Sequence, residues 1–196
     1  MSDEVTDPGP AALIRHFHWL RTYGLNDSHS GNASCRIGDT IWVTPTGCCA
    51  DRLREVDLLQ GSVRGAAPAG ASLDARLHLE VYQRVPDAAA VIHSHGPFST
   101  AVTMAGADFV PQDFEGRYYF PKVPVLNIPH ESYVEQSPGM VSRALAEHPV
   151  AIVRGHGVYA WGTSFDQAYK WTCSLESSAR ITWLARVGGM MPGEAR

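Results

Sequence analysis

SLDARLHLEVYQRVPDAAAVIHSH, residues 72–95, joins a helical pattern directly to a strand pattern. The apolar residues of its first half fall four apart, at Leu73, Leu77, Val81 and Val85. That spacing predicts one face of a helix, with Ser72 as its N-cap and Pro86 at its end. Residues 88–95 form a short apolar run between turn formers, which predicts an interior strand that ends in two histidines.

The sequence on either side of this segment continues the alternation of helical and extended patterns. Apolar residues at helical spacing predict a first helix over residues 10–23, with Gly24 as its left-handed stop. β-Branched and aromatic residues predict a pair of strands around the Gly38–Asp39 turn. Further patterns predict a strand near residues 58–59, a loop over 61–70, a short helix over 99–105, strands over 123–128 and 150–153, and a long helix over 163–187. This order predicts an α/β (α+β) fold of three layers, with a central sheet between helices.

The composition fits one compact domain. The chain has 196 residues, of which 44% are hydrophobic, and this is enough for a single full core. A formal net charge of −4 leaves no basic surface for nucleic acid or for an anionic membrane. No apolar stretch approaches the roughly 18 residues that a membrane span needs. We expect the domain to occupy residues 11–188, between a flexible N-terminal tail (1–10) and a C-terminal tail (189–196).

The four cysteines show no repeated C-x-x-C spacing. Cys48 and Cys49 are adjacent and could not bridge to each other without severe strain. We interpret all four as small apolar side chains of a reduced, cytoplasmic protein, in preference to metal ligands or redox groups.

Three histidines are the residues most suggestive of chemistry. Residues two apart in a strand point to the same side, so that His93 and His95 should project their imidazoles together. His156 lies between Gly155 and Gly157, which let the backbone bring its ring close to another group. Three neutral imidazoles with an open position suit a catalytic divalent metal, although an H-x-H pair by itself is equally compatible with satisfied core histidines.

Five segments in order resemble the class II aldolase and adducin family, over nearly the whole chain. They are SGNASCR, TPTG, the 72–95 segment quoted above, HSHGPFSTAVTMAG and RGHGVYAWG. The resemblance implies a mixed sheet with helices on both faces, in a homotetramer with fourfold symmetry. It also implies that His93, His95 and His156 are the metal ligands. We expect Zn²⁺ as the ion, and imidazole ligands leave Mn²⁺, Fe²⁺ and Co²⁺ open.

The resemblance also implies a set of substrate-binding residues. Asn32, Thr46, Gly47 and Ser72 match positions that hold a substrate phosphate in the sugar phosphate aldolases of the family. Amides, hydroxyls and a helix N-terminus make a reasonable anion cradle, although Gly47 and Ser72 would also serve as ordinary turn and cap residues. Leu73 replaces a phosphate-binding hydroxyl of those aldolases, which puts a phosphate substrate in doubt.

Asp74 replaces the catalytic Glu of the aldolases, as it does in the epimerase branch of the family. We expect it to face the metal and to act as a general acid or base, or as an extra ligand. Stabilisation of a helix N-terminus is the plainer alternative. Within residues 112–119, Tyr119 is predicted to donate a proton and Arg117 to bind a carboxylate. The alternative is that both are ordinary polar residues of an exposed loop. His78 is assigned to a surface or structural role.

The predicted function is a metal-dependent carbon–carbon lyase of the class II aldolase type. It would cleave or form a bond next to a carbonyl through a metal-stabilised enolate of a small hydroxy-ketone or keto acid. A decarboxylase of a hydroxyaryl or β-keto acid and a sugar phosphate epimerase are the alternatives. A non-catalytic, adducin-like structural module is a third hypothesis, which retention of the three histidines disfavours.

Overall fold

The computed structural model describes residues 9–190, and within them the chain forms six α-helices and seven strands. The helices are α1 (Pro10–Thr22), α2 (Ala75–Arg84), α3 (Pro97–Val102), α4 (Phe114–Tyr119), α5 (Tyr133–Glu147) and α6 (Phe165–Val187). The strands are β1 (Asn32–Ile37), β2 (Thr40–Val43), β3 (Leu59–Ser62), β4 (Ala90–Ser94), β5 (Val125–Leu126), β6 (Val150–Val153) and β7 (Gly157–Gly162). Most of both predicted tails, residues 1–8 and 191–196, lies outside the described part.

All seven strands belong to one sheet, in the order β3-β2-β1-β4-β7-β6-β5. Neighbouring strands are antiparallel except β5 and β6, which are parallel. Strand β4 lies at the centre, and each of its five residues is buried. The mixed sheet confirms the predicted fold class.

Helices cover both faces of the sheet. On one face, α2 and α5 pack together, and their Leu77 and Leu145 share a buried cluster with Val91 of β4. On the other face, α1 and α6 bury Phe17 and Ala168 against Ile92. Because successive strand residues point to opposite faces, His93 lies on the α2–α5 side. None of the described helices combines the length and the apolar character needed to cross a bilayer.

Two predicted turns have the backbone that only glycine adopts readily. Gly24 follows α1 with a φ of 73°, and Gly38 joins β1 to β2 with a φ of 62°. Both values lie in the left-handed region, where a Cβ atom would be strained. The predicted end of the first helix and the predicted hairpin are therefore confirmed.

The start of α2 differs from the prediction. The helix begins at Ala75 and not directly after Ser72, whose hydroxyl accepts only a long bond of 3.3 Å from the Asp74 amide. The preceding residues are held in an extended form, because the Ser72 amide donates to the Thr44 carbonyl at 3.0 Å. Leu73 is consequently outside the helix and 63% exposed, so it does not belong to the buried helical face.

Three elements are absent from the sequence-based prediction: α4, α5 and β7. Helix α5 contains Pro138 followed by Gly139, a pair that normally indicates a break. The helix continues through them because Pro138, Val141 and Leu145 are buried on its inner face. Tertiary packing here outweighs local propensity.

Candidate metal centre

The three predicted histidines converge in space although one is distant in sequence. The Nε2 atoms of His93 and His95 are 2.9 Å apart, and those of His93 and His156 are 3.1 Å apart. One nitrogen from each ring can be chosen so that all three lie within 4.8 Å of one another. The rings of His93 and His95 lie close together as predicted, with 4.6 Å between their centroids, although strand β4 ends at Ser94 and His95 follows it.

Hydrogen bonds hold the His93 ring and the backbone of His95 in place. The Nδ1 of His93 is 3.0 Å from the Val158 carbonyl and must donate to it, which leaves the Nε2 lone pair directed at the cluster. The His95 amide donates to the Leu25 carbonyl at 2.8 Å and to Asn26 Oδ1 at 3.0 Å. The chain just beyond β4 is therefore held in place from both sides.

Gly157 allows the turn that carries His156 to lie against β4. A Cβ atom at this position would be 2.3 Å from the Ser94 carbonyl oxygen and 3.0 Å from His93 Cε1. Any larger residue would push the turn away from the histidines. The close approach predicted for the glycines beside His156 is present at Gly157, whereas a Cβ atom at Gly155 would make only an ordinary contact with Met104 at 3.6 Å.

The electrostatic surroundings keep all three imidazoles neutral. Burial lowers the pKa of His93 well below its usual 6.5, and it also lowers the pKa values of the half-buried His95 and His156. The nearby carboxylate of Asp74 opposes this effect without reversing it. Neutral imidazoles are the form that binds metal ions, so the cluster is ready to bind at neutral pH.

The nitrogen set fits a divalent transition metal. Bonds of about 2.0–2.1 Å at tetrahedral angles place ligand nitrogens about 3.3–3.4 Å apart, close to the two shortest separations in the cluster. Three imidazoles with a vacant fourth direction are the ligand set of catalytic sites. The same set suits zinc, manganese, iron and cobalt.

Asp74 lies directly behind the cluster and accepts three hydrogen bonds. Asn32 Nδ2 donates to its Oδ2 at 2.8 Å, the Tyr159 hydroxyl donates to the same oxygen at 3.0 Å, and the Tyr133 hydroxyl donates to Oδ1 at 2.7 Å. The two tyrosine hydroxyls also contact each other. Asp74 Oδ2 is 3.9 Å from His93 Nε2, so the carboxylate lies beside the histidine cluster.

The hydrogen bonds determine how basic Asp74 can be. Burial alone would raise its pKa, but His93 and the donors Asn32 and Tyr133 outweigh burial and lower it from 3.8 to about 2. The pKa of Tyr133 is raised, first by burial and then by the Asp74 charge. Asp74 is therefore a permanent carboxylate and a weak base, whereas the Tyr133 hydroxyl keeps its proton.

The residues predicted to bind a substrate phosphate lie on adjoining backbone segments. The Thr46 amide donates to the Gly70 carbonyl at 3.0 Å, and Ser72 pairs with Thr44. Thr46 and Gly47 are exposed, and Gly47 has a φ of 61°. Asn32 adjoins this loop through the pairing of Ala33 with Thr44, although its amide nitrogen is committed to Asp74.

The structure does not bring Tyr119 or Arg117 to the histidines of the same chain. Tyr119 packs edge-on against Trp171 of α6, with the Lys170 ammonium 4.3 Å from the centre of its ring. Arg117 Nε donates to the Pro111 carbonyl at 3.2 Å. Their predicted roles therefore depend on another copy of the chain.

Sequence reasoning missed Tyr133 and Tyr159. Tyr159 is the partner of His93 in the β4–β7 register, and its ring stacks on the His93 ring with 4.1 Å between centroids. Tyr133 is near the start of the unpredicted α5, and its ring centroid lies 4.7 Å from that of His156. The pairing of the two strands would have been needed to find Tyr159.

An open cavity of about 580 Å³ adjoins the cluster. His95, His156 and Tyr133 line it, whereas the buried His93 and Asp74 lie behind that wall. The cavity therefore adjoins the cluster on the side of His95 and His156. The remaining lining residues are Leu73, Ile128, His130, Val134, Val153, Arg154 and Gly155.

Comparisons with known proteins agree with this geometry. Residues 11–183 match the family described as Class II Aldolase and Adducin N-terminal domain. The crystal structure of L-fuculose-1-phosphate aldolase from Thermus thermophilus is similar, with a TM-score of 0.86 and 33% identity over 95% of this chain and 97% of that one. The chain therefore belongs to the class II aldolase and adducin family.

Two relatives of similar sequence have names that indicate different reactions. The 5-methylthioribulose-1-phosphate/5-deoxyribulose-1-phosphate aldolase of Rhodospirillum rubrum is 29% identical over 190 residues, 90% of this chain and 83% of the relative. The methylthioribulose-1-phosphate dehydratase of Acidiphilium cryptum is 30% identical over 162 residues, 74% of this chain and 76% of the relative. The class II aldolases depend on a divalent metal, and the histidine cluster could hold one.

Proposed function

We propose that the protein is a metal-dependent lyase that cleaves a carbon–carbon bond next to the carbonyl of a small hydroxy-ketone. The observation that carries this proposal is the convergence of His93, His95 and His156 at the wall of an open cavity. A bound divalent cation would supply a Lewis acid there, which stabilises the negative charge that develops on the substrate oxygens. The three converging imidazoles also argue against a purely structural, adducin-like role, because a structural protein does not need them.

Tyr133 is the group best placed to move a proton. Its hydroxyl is protonated at neutral pH and belongs to a residue that lines the cavity. Asp74 accepts from that hydroxyl at 2.7 Å and so orients it and balances charge near the metal position. In this assignment Asp74 acts only electrostatically, and the Tyr133 Oη atom carries out the proton transfer that was predicted for Asp74.

An anionic end of the substrate would bind at the Thr46, Gly47 and Ser72 loop. Support comes from the exposed amide of Gly47 and from the hydroxyls of Thr46 and Ser72, which the backbone pairing brings together. Such a loop binds phosphate without a formal positive charge. Phosphorylated ketoses, which the names of the relatives contain, are the substrates to test first.

A dehydratase is the second candidate, and the Acidiphilium cryptum relative favours it. Loss of water from a hydroxy-ketone and cleavage of its carbon–carbon bond both begin from a substrate whose carbonyl is polarised. The two reactions differ in the bond that breaks afterwards. The decarboxylase and epimerase hypotheses stay predictions, of which the first is motivated by Leu73.

The experiment that tests the proposal is a product analysis with the metal-loaded protein. L-Fuculose 1-phosphate and 5-methylthioribulose 1-phosphate are incubated with it, and the products are identified by mass spectrometry. Carbon–carbon cleavage gives an aldehyde and a shorter ketone phosphate, whereas dehydration gives one product lighter by a water molecule. The proposal expects cleavage that a chelator abolishes.

Matched variants show whether turnover depends on the histidine cluster. His156→Gln should lose turnover, and His29→Gln, which changes an exposed histidine outside the cluster, should retain it. Turnover that survives in His156→Gln or in the presence of a chelator would refute the proposal.

A further inference from the structure

The cavity beside the histidine cluster is lined in part by aliphatic side chains. Leu73, Ile128, Val134 and Val153 supply these side chains, and none of Asn32, Thr46, Gly47 or Ser72 lines the cavity. Because His95 and His156 line the same cavity, a substrate held at the metal position extends directly along these side chains.

Two of the aliphatic side chains are exposed at positions where the fold does not require them. Leu73 is 63% exposed and Val134 is 53% exposed, so neither contributes much to the core. A single exposed Leu or Val is ordinary, but a contiguous apolar lining in a concave site that also holds polar catalytic groups is typical of ligand binding. The free energy gained by covering these side chains is available to a ligand.

Two exposed residues with basic side chains, Arg154 and His130, also line the cavity. Arg154 is exposed, and its Nε donates to the Met104 carbonyl at 2.7 Å. Arg154 also borders a separate, shallower depression that includes Met104 and Asn127. His130 is exposed in the short turn before α5.

We propose that the cavity binds an uncharged, apolar substituent of the substrate, attached to the carbon skeleton that chelates the metal. This inference rests on the proposed function, because it assumes that the carbonyl end is held at the histidine cluster. Leu73 and Val134 then determine specificity, and substrates with an extended hydrocarbon or thioether group are favoured over those with a charged or hydroxylated group at that end.

The test measures binding and does not require turnover. The protein is loaded with Co²⁺, and 2-oxopropanoate, 2-oxobutanoate, 2-oxopentanoate and 2-oxohexanoate are titrated while the cobalt absorption spectrum is recorded. Each of these acids can chelate the ion through its keto and carboxylate oxygens, and they differ only in the length of the tail. 2-Oxohexanedioate, in which a carboxylate replaces the terminal methyl group of 2-oxohexanoate, distinguishes an apolar occupant from an anionic one.

The expected result is a Kd that falls about two- to fourfold with each added methylene, with 2-oxohexanedioate weaker than 2-oxohexanoate. Leu73→Ser and Val134→Ser should remove most of this dependence and leave the Kd of 2-oxopropanoate unchanged. Val56→Ser, which changes an 81% exposed valine outside the cavity, should behave as the unaltered protein does. Because all three residues are exposed, we expect the variants to fold as the unaltered protein does, and unfolding curves check this.

Three results would overturn the inference. They are a Kd that does not change with tail length, an unchanged dependence of Kd on tail length in Leu73→Ser and Val134→Ser, and tighter binding of 2-oxohexanedioate than of 2-oxohexanoate. If the Kd does not change with tail length but the protein still cleaves hydroxy-ketones, the result contradicts the apolar site alone. A protein that shows the length dependence but turns over no carbonyl substrate contradicts the lyase and supports the apolar site. Failure of 2-oxopropanoate to alter the cobalt spectrum contradicts both.

Discussion

Tyr133 joins the two halves of the site, because its hydroxyl contacts Asp74 while its ring lines the cavity. The neighbouring Tyr159 also donates to Asp74 but lies fully buried behind His93. Of these two tyrosines, Tyr133 is the one that lines the cavity. We therefore assign proton transfer to Tyr133 and the positioning of the carboxylate to Tyr159.

Replacing Tyr133 by Phe should lower kcat by about 10²–10⁴, the usual contribution of a positioned acid. The ring that packs against His156 remains, so the affinity for the metal should stay unchanged. Steady-state kinetics and a metal titration of the same preparation check both parts. Tyr118→Phe, at a tyrosine that is 77% exposed and outside the cavity, is the control; an equal loss in both variants would contradict the role.

His78 should make the protein sensitive to mild acid. It is completely buried, and its Nδ1 is 2.7 Å from Ser34 Oγ. Burial lowers its pKa from 6.5 to about 4. Since the lowered pKa means that the folded state binds the proton less readily than the unfolded state, stability is lost as pH falls from about 6.5 towards 4.

His78→Asn, which keeps a hydrogen-bonding group near the Nδ1 position, should remove this component. Between pH 7 and pH 4 the unaltered protein should lose about 3 kcal/mol more free energy of unfolding than the variant. Urea unfolding of both metal-free proteins measures the difference, and the other histidines cancel because both proteins contain them. Parallel pH profiles would show that burial does not suppress the charge on His78.

At the level of the elements, the strand β4 and the turn before β7 build the metal centre together. The two-residue period of a strand is sufficient to align His93 with His95, so this half of the site could be predicted from the sequence. The position of His156 could be inferred only from the family resemblance and its flanking glycines. The contact between the two halves depends on the β4–β7 pairing, in which His93 lies opposite Tyr159.

Elements whose local sequence contradicts their final structure could not be predicted. Helix α5 crosses the Pro138–Gly139 pair because its inner face is buried against α2. The start of α2 was predicted too early, because the pairing of Ser72 with the Thr44 loop is a contact between distant residues. Tyr133 and Tyr159 were missed for the same reason, since helix position and strand register place them at Asp74.

Gly157→Ala should disrupt the candidate metal centre by displacing the backbone that carries His156. The added Cβ would overlap the Ser94 carbonyl oxygen, so the turn that carries His156 must move away from β4. We expect the affinity for metal to fall about 10–100-fold and the stability to fall by about 1–3 kcal/mol. A metal titration and urea unfolding measure the two effects.

Gly139→Ala in α5 is the control for this substitution. Its Cβ would meet only the flexible end of Arg143 at 3.4 Å, and Ala is favoured over Gly within a helix. The control should keep full metal affinity and be as stable as the unaltered protein or slightly more so. Unchanged metal affinity in Gly157→Ala would contradict the role assigned to the β7 turn.

At the level of the whole molecule, the predicted homotetramer bears on the completeness of the site. Tyr119 and Arg117 do not reach the histidines of their own chain. Apolar side chains are exposed near the end of α6, among them Ile181, Leu184 and Val187, which is compatible with contact between copies. If Tyr119 acts in catalysis as predicted, it must do so in a neighbouring subunit.

A complementation experiment tests this arrangement. Tyr119→Phe and His156→Ala should each be inactive alone, and an equal mixture of the two should recover roughly a quarter of the normal activity. A site is intact only where a Tyr119→Phe chain supplies the histidines and a neighbouring His156→Ala chain supplies Tyr119, and random assembly gives this arrangement in about one site of four. Activity is measured after unfolding the chains together and refolding them, and light scattering measures the mass of the assembly. Active Tyr119→Phe, or mixtures that stay inactive, would exclude the predicted role of Tyr119.

The central claim is that three imidazoles from two separate parts of the chain hold one divalent ion. The most direct measurement is an anomalous difference map at the zinc absorption edge, from a crystal of the protein grown with Zn²⁺. We expect one strong peak per chain, about 2.0–2.1 Å from the Nε2 atoms of His93, His95 and His156. A zinc-saturated crystal without a peak among these three nitrogens, or with His156 turned away from the ion, would contradict the claim.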